Sequence, residues 1–198
     1  AAGMKFEFHI ANPGDQVPTS LNSGRGLAIL LNEEVPRTQV WLRGAKADNT
    51  GMYHEVVLHE LIHAATQGAL YLGRVVGPLK HEVGVLRSDL VKVGNAVVKH
   101  LQAKIEDYRN GNLDALTPFE KELYENRNNA LRDEHEVLAW GLSNPEMQNL
   151  LESVPYKGRS SENGIVTLFD KFTDTIRRFL GLPPSGETAL TEVLRVAD

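Results

Sequence analysis

The sequence predicts an α+β chain: a small N-terminal β-sheet packed on one helix, followed by a mostly helical remainder. Three patterns predict it. Residues 5–10 alternate, with Phe6, Phe8 and Ile10 on one side and Lys5, Glu7 and His9 on the other, the period of a half-buried strand. Residues 26–31 are a short apolar run and 38–42 a β-rich one, separated by a turn at 32–36. Beyond residue 50 the apolar spacing changes to three and four, the period of a helix.

Asn12-Pro13-Gly14-Asp15 ends the first strand. The first helix is expected over about 51–72 with Thr50 as its N-cap, Val57, Leu61, Ala64 and Ala65 facing a sheet and another helix. A second runs over about 79–109, where Val83, Leu86, Leu90, Val93, Val97 and Leu101 form one apolar stripe. Asn110-Gly111-Asn112 stops it. Thr117-Pro118-Phe119-Glu120 combines a capping-box Thr and Glu with Pro at the first helical position, so a third helix starts there and is expected to reach Ser143, before Asn144-Pro145. A short helix at 145–153, a polar loop at 157–164 and an amphipathic helix at 166–180 complete the expectation, with a last turn or two at 188–196.

The 198 residues suit one domain, with a sheet-plus-helix part at 4–78 and a helical part at 79–198. Net charge is -5 and the Lys and Arg residues are scattered, which argues against a nucleic-acid partner or an anionic membrane. The absence of cysteine removes disulfides, thiolate metal sites and cysteine nucleophiles, and leaves His and carboxylates as the strong metal ligands. No segment has the apolar length of a membrane span, and Ala1-Ala2-Gly3 before Met4 reads as a cloning scar, not a signal peptide.

Inside the first helix stands His59-Glu60-Leu61-Ile62-His63. Each helical residue advances about 100°, so His63 returns to within about 40° of His59 and both rings can reach one ion. Glu60 lies beside the pair, placed to take a proton from a water rather than to join the same ligand set. Random placement would produce this pattern in roughly 2% of chains with this composition, so the motif needs its helical context to carry weight.

A hydrolytic zinc takes three protein ligands and keeps a position for water, so a third ligand must come from elsewhere. The cluster Arg132-Asp133-Glu134-His135-Glu136 can supply it from any of four side chains; periodicity does not choose among them, and on spacing alone His135 is a fair rival to Glu136. His59-Glu60-Leu61-Ile62-His63-Ala64 followed by Glu136-Val137-Leu138-Ala139 resembles the gluzincin arrangement, in which a Glu on a second helix, with a small residue three positions later, completes the site. The string from Asp133 to Glu136, Ala139 and Leu142-Ser143-Asn144-Pro145-Glu146 resembles the zincin-like metallopeptidase domains of large polyvalent proteins in phages and mobile elements. So does the tail, Leu168-Phe169-Asp170-Lys171-Phe172 through Leu180-Gly181-Leu182-Pro183. One departure stands out: many gluzincins carry Asp or Asn one turn after the ligand Glu, where this chain has Trp140.

The resemblance implies a zincin-like fold and a zinc-dependent peptidase, with Zn2+ on His59, His63 and Glu136 and Glu60 as general base. Tyr156 is the preferred stabiliser of the oxyanion, with Tyr53 and His81 as others, and Asp133 or Glu134 could orient a ligand imidazole. Zincins pair an edge strand with the substrate backbone, and the segment 38–42 is the expected platform. The substrate would be a peptide or protein, including the chain's own parent polypeptide, in a host cytoplasm or a virion. The alternative is a catalytically silent zincin-shaped module of a larger protein. His9, His54 and His100 read as surface residues, and Trp41 and Trp140 as core.

Overall fold

The computed structural model describes residues 5–21, 25–31, 37–44, 51, 53–75, 80–125, 128–155 and 167–179. The chain is α+β, a small three-stranded sheet with a mostly helical remainder, and it divides into two compact units, residues 1–80 and 81–198.

In the first unit, β1 (Lys5–Ala11), β2 (Gly26–Leu31) and β3 (Arg37–Arg43) precede α1 (His54–Val75). The sheet order is β1-β3-β2, with β3 parallel to β1 and antiparallel to β2. Thr38, Val40 and Leu42 alternate with half-buried neighbours along β3, the pattern of a central strand with one covered face. Val40 and Leu42 pack with Ala64 of α1, and Ala28, Val56 and Val57 close around them. Gly51 donates its N–H to Arg43 O at 2.8 Å, and Arg43 N–H to Arg25 O at 3.0 Å, which ties the approach to α1 to the ends of β3 and β2. The helix starts at His54, with Val57 N–H on Tyr53 O, and Glu55 lies in its first turn, where the helix dipole favours negative charge. Thr50, the expected cap, lies outside the described residues.

Several expectations for this sheet are corrected. The segment 38–42 is not an edge: β3 is paired on both sides, and among the described residues β1 and β2 are the edges. The Phe6, Phe8 and Ile10 face of β1 is not half-buried either, since these side chains are 47%, 57% and 56% exposed. Period-two alternation reveals two faces but not whether a helix is wide enough to cover the outer strand. His9 is half-buried, stacked on Trp41 with ring centroids 4.0 Å apart, and Trp41 itself is half-buried rather than core. Beside them Glu7 accepts from Arg37 at 2.7 Å and Gln39 at 2.8 Å, and the Gln39 and Arg37 hydrogen bonds lower its carboxyl pKa.

The second unit holds α2 (Lys80–Arg109), α3 (Pro118–Tyr124), α4 (Glu134–Ser143), α5 (Pro145–Ser153) and α6 (Leu168–Phe179). The expected stripe of α2 is buried from Val83 to Leu101, each large side chain contributing about 1.5–3 kcal/mol on removal from water. Thr117 and Glu120 form the expected capping box of α3, and Asn144 caps α5 through Met147 N–H at 2.8 Å. Thr167 and Asp170 cap α6 reciprocally.

The expected single helix from Pro118 to Ser143 is two helices. The side chains between them compete with the helical ladder: Asn128 Oδ1 accepts Ala130 N–H at 2.8 Å, and Asp133 Oδ1 accepts the N–H groups of His135 and Glu136, each at 3.0 Å. Asp133, in extended conformation, is thereby the N-cap of a new helix.

Charged pairs lace the helices. Asp89 is buried between Lys92 at 2.9 Å and Lys171 at 3.2 Å; burial raises its pKa, but the two ammonium groups prevail and lower it from an ordinary 3.8 to about 2. Arg87 of α2 pairs with Glu134 of α4. Gly141 of α4 lies against Phe172 of α6 so closely that an added Cβ would stand 2.6 Å from the ring. Phe172 is fully buried and has nowhere to retreat. Gly141→Ala is therefore expected to lower stability by about 1–3 kcal/mol despite its better helix propensity, a loss that denaturant titration would read at the midpoint.

Among the described residues no helix is long and apolar enough to cross a membrane.

Candidate metal centre

The helical spacing of the motif sets its geometry. On α1, His59 and His63 stand one turn apart, their rings at 79° with centroids 4.6 Å apart and their Nε2 atoms 3.0 Å apart. Two nitrogens at ~2.0–2.1 Å from one ion in tetrahedral geometry would be ~3.3 Å apart, so the pair is close to the separation that a shared ion requires. His63 is buried and His59 half-buried.

Glu60 is buried too, and its environment comes from the sheet. An added Cβ on Gly26, at the start of β2, would stand 2.6 Å from Glu60 Cγ, 2.8 Å from Oε1 and 3.0 Å from Cδ. The carboxylate thus lies on bare strand backbone, in a space that only glycine leaves. Helix geometry puts Glu60 about 100° from His59, so the acid is beside the imidazoles without sharing their direction.

Glu136 is buried in the first turn of α4, where Asp133 caps its N–H and positive dipole density favours its charge. Burying a carboxylate is costly unless it is bonded. Glu136 Oε1 accepts from Arg132 Nη2 at 2.7 Å and Oε2 from Trp140 Nε1 at 3.2 Å. Trp140 is half-buried rather than core, its ring 6.0 Å from Phe119.

Within the first unit, His59 and His63 offer two imidazole nitrogens of one helix to a metal ion; Glu136 is the third ligand expected from the sequence. Paired imidazoles are ligands of hydrolytic zinc sites, which take one further protein donor. His135, the rival ligand, lies beside Glu136 in the first turn of α4. Asp133 is engaged with its helix cap and with Arg132 Nε at 3.1 Å, and Glu134 with Arg87. Burial raises the Glu134 pKa, but backbone and Arg87 contacts outweigh it and lower the value overall. Tyr53 and His81 are exposed, with Arg25 5.7 Å above the Tyr53 ring. Tyr156 lies outside the described residues.

Sequence reasoning assigned no role to three contributors. Arg132 and Trp140 flank Glu136 at four-residue intervals, and that spacing was the available signal. Gly26 had none, because its role depends on the strand register that brings it under Glu60. No protein-family model, curated protein or solved structure matches this chain.

Proposed function

We propose that the chain is a zinc-dependent peptidase of the zincin type. The observation that carries this reading is the His59 and His63 pair of α1, with Nε2 atoms 3.0 Å apart and Glu60 next to the first imidazole. In this proposal the two imidazoles and the Glu136 carboxylate would hold the ion, and zinc is favoured over harder cations because two of the donors are imidazoles. A zinc ion there supplies Lewis acidity, making a water more acidic and a carbonyl more electrophilic.

The chain's own groups supply the rest. Glu60 accepts a proton from the attacking water at its carboxylate and then passes it to the leaving amine, the two transfers that break a peptide bond without free acid or base. Its burial against Gly26 fixes the carboxylate and limits the positions from which it acts.

An extended substrate is best received by β2. The Arg43 to Arg25 hydrogen bond sets the ladder, so pairs 27/41, 29/39 and 31/37 bond across to β3 while Gly26, Ala28 and Leu30 direct their N–H and C=O groups toward the outer edge. Added as a further strand on that edge, a peptide would pass beside Gly26, under which Glu60 lies. The parent polypeptide is one such substrate in this proposal.

The test is metal analysis of protein purified without chelator, together with casein cleavage. One zinc per chain and cleavage are expected in the wild type, with both lost in His63→Ala. Wild type with no zinc and no cleavage would sink the proposal, whereas zinc without cleavage would leave a metal-binding module.

A further inference from the structure

We propose that Trp140 is a positioning residue for the metal centre: its indole N–H holds the Glu136 carboxylate in the orientation that ligation requires. This inference rests on the metal-site reading above.

Trp140 follows Glu136 by one helical turn, and its Nε1 donates to Glu136 Oε2 at 3.2 Å. An indole N–H can only donate, so the bond has one sense and persists in every protonation state in which the carboxylate is charged. A carboxylate offers about four lone-pair positions, and one indole and one ion can share its two oxygens.

Arg132 also touches Glu136, but the two contacts differ in what they can fix. The Arg132 side chain is 62% exposed against 6% for Glu136, and its solvated guanidinium is shared with Asp133 at 3.1 Å. Trp140 is half-buried and packed near Phe119, with ring planes at 41°, and has only two torsions to restrain. A rigid ring held by neighbours fixes an oxygen; a solvated guanidinium mainly offsets its charge. Carboxylates that ligate metals are ordinarily oriented by hydrogen bonds of this type, and their loss costs metal affinity. The residue doing this here is an aromatic donor, which orients without adding a second charge near the ion.

The experiment is zinc affinity by competition with a chromophoric chelator for wild type and Trp140→Phe, beside the NMR signals of the two tryptophan indole N–H groups. Trp140→Phe keeps an aromatic ring near Phe119 and removes only the donor and part of the ring. Expected are a ~10- to 100-fold weaker zinc affinity with an unchanged thermal midpoint. One indole resonance of wild type, the one missing in Trp140→Phe, should also move at stoichiometric zinc while that of Trp41 stays. Unchanged affinity in Trp140→Phe, or a Trp140 indole resonance unmoved by saturating zinc, overturns the inference and leaves the metal site standing. Wild type that binds no zinc overturns both.

Discussion

Replacing Glu60 by Gln will lower peptide-bond cleavage on the order of 10²- to 10⁴-fold while zinc content stays at the wild-type level. The amide is nearly isosteric with the carboxylate, so the contact with Gly26 and the packing of α1 on β2 are retained. What disappears is the ability to take a proton. Helix geometry turns Glu60 away from the direction shared by His59 and His63, which is why its loss should be felt by the chemistry and not by the ion. Initial rates on a fluorogenic peptide, with zinc measured on the same samples, would check both halves. A Gln variant that cuts at the wild-type rate would place the base elsewhere. One that also loses zinc would make Glu60 part of the ion's environment.

The parts of the fold that were legible are those fixed by neighbours in sequence. The α2 stripe, the Thr117 to Glu120 box and the stop at Asn144-Pro145 each rest on contacts within a turn or two, and the structure has all three. The break between α3 and α4 is also local, yet it was hidden because helix-compatible spacing continues through a stretch with three asparagines, 126, 128 and 129. There the choice lies between similar energies: a continued ladder, or turns in which Asn128 and Asp133 bond the backbone themselves. The sheet order was not legible for another reason. Residues 5–10 and 38–42 show comparable β patterns, and which becomes central depends on the pairing of β1 with β3, whose partners, such as Lys5 and Arg37, are 32 residues apart.

At the site the same division holds. The imidazole pair follows from a four-residue interval on a helix, and so does the link between Glu136 and Trp140. Spacing alone leaves Glu136 and His135 as rivals, since both lie in the first turn of α4. The apposition of Gly26 and Glu60 joins residues 34 positions apart and leaves no trace in local pattern.

That apposition leads to the second large effect: Gly26→Ala is expected to cut the cleavage rate by ~10²-fold, with zinc retained. A methyl group placed 2.6 Å from Glu60 Cγ and 2.8 Å from Oε1 cannot coexist with the present side-chain conformation. The strand is held by its ladder to β3, so the flexible glutamate is the partner that yields. A base displaced by ~1 Å loses about that factor in rate, although its chemistry is intact. Because the damage passes through Glu60, the two substitutions should not add: Gly26→Ala combined with Glu60→Gln is expected to be no slower than Glu60→Gln alone. Additive losses would mean that Gly26 acts on the substrate instead, through the outer edge of β2. A fully active Gly26→Ala would show that the carboxylate does not work from its position on this strand.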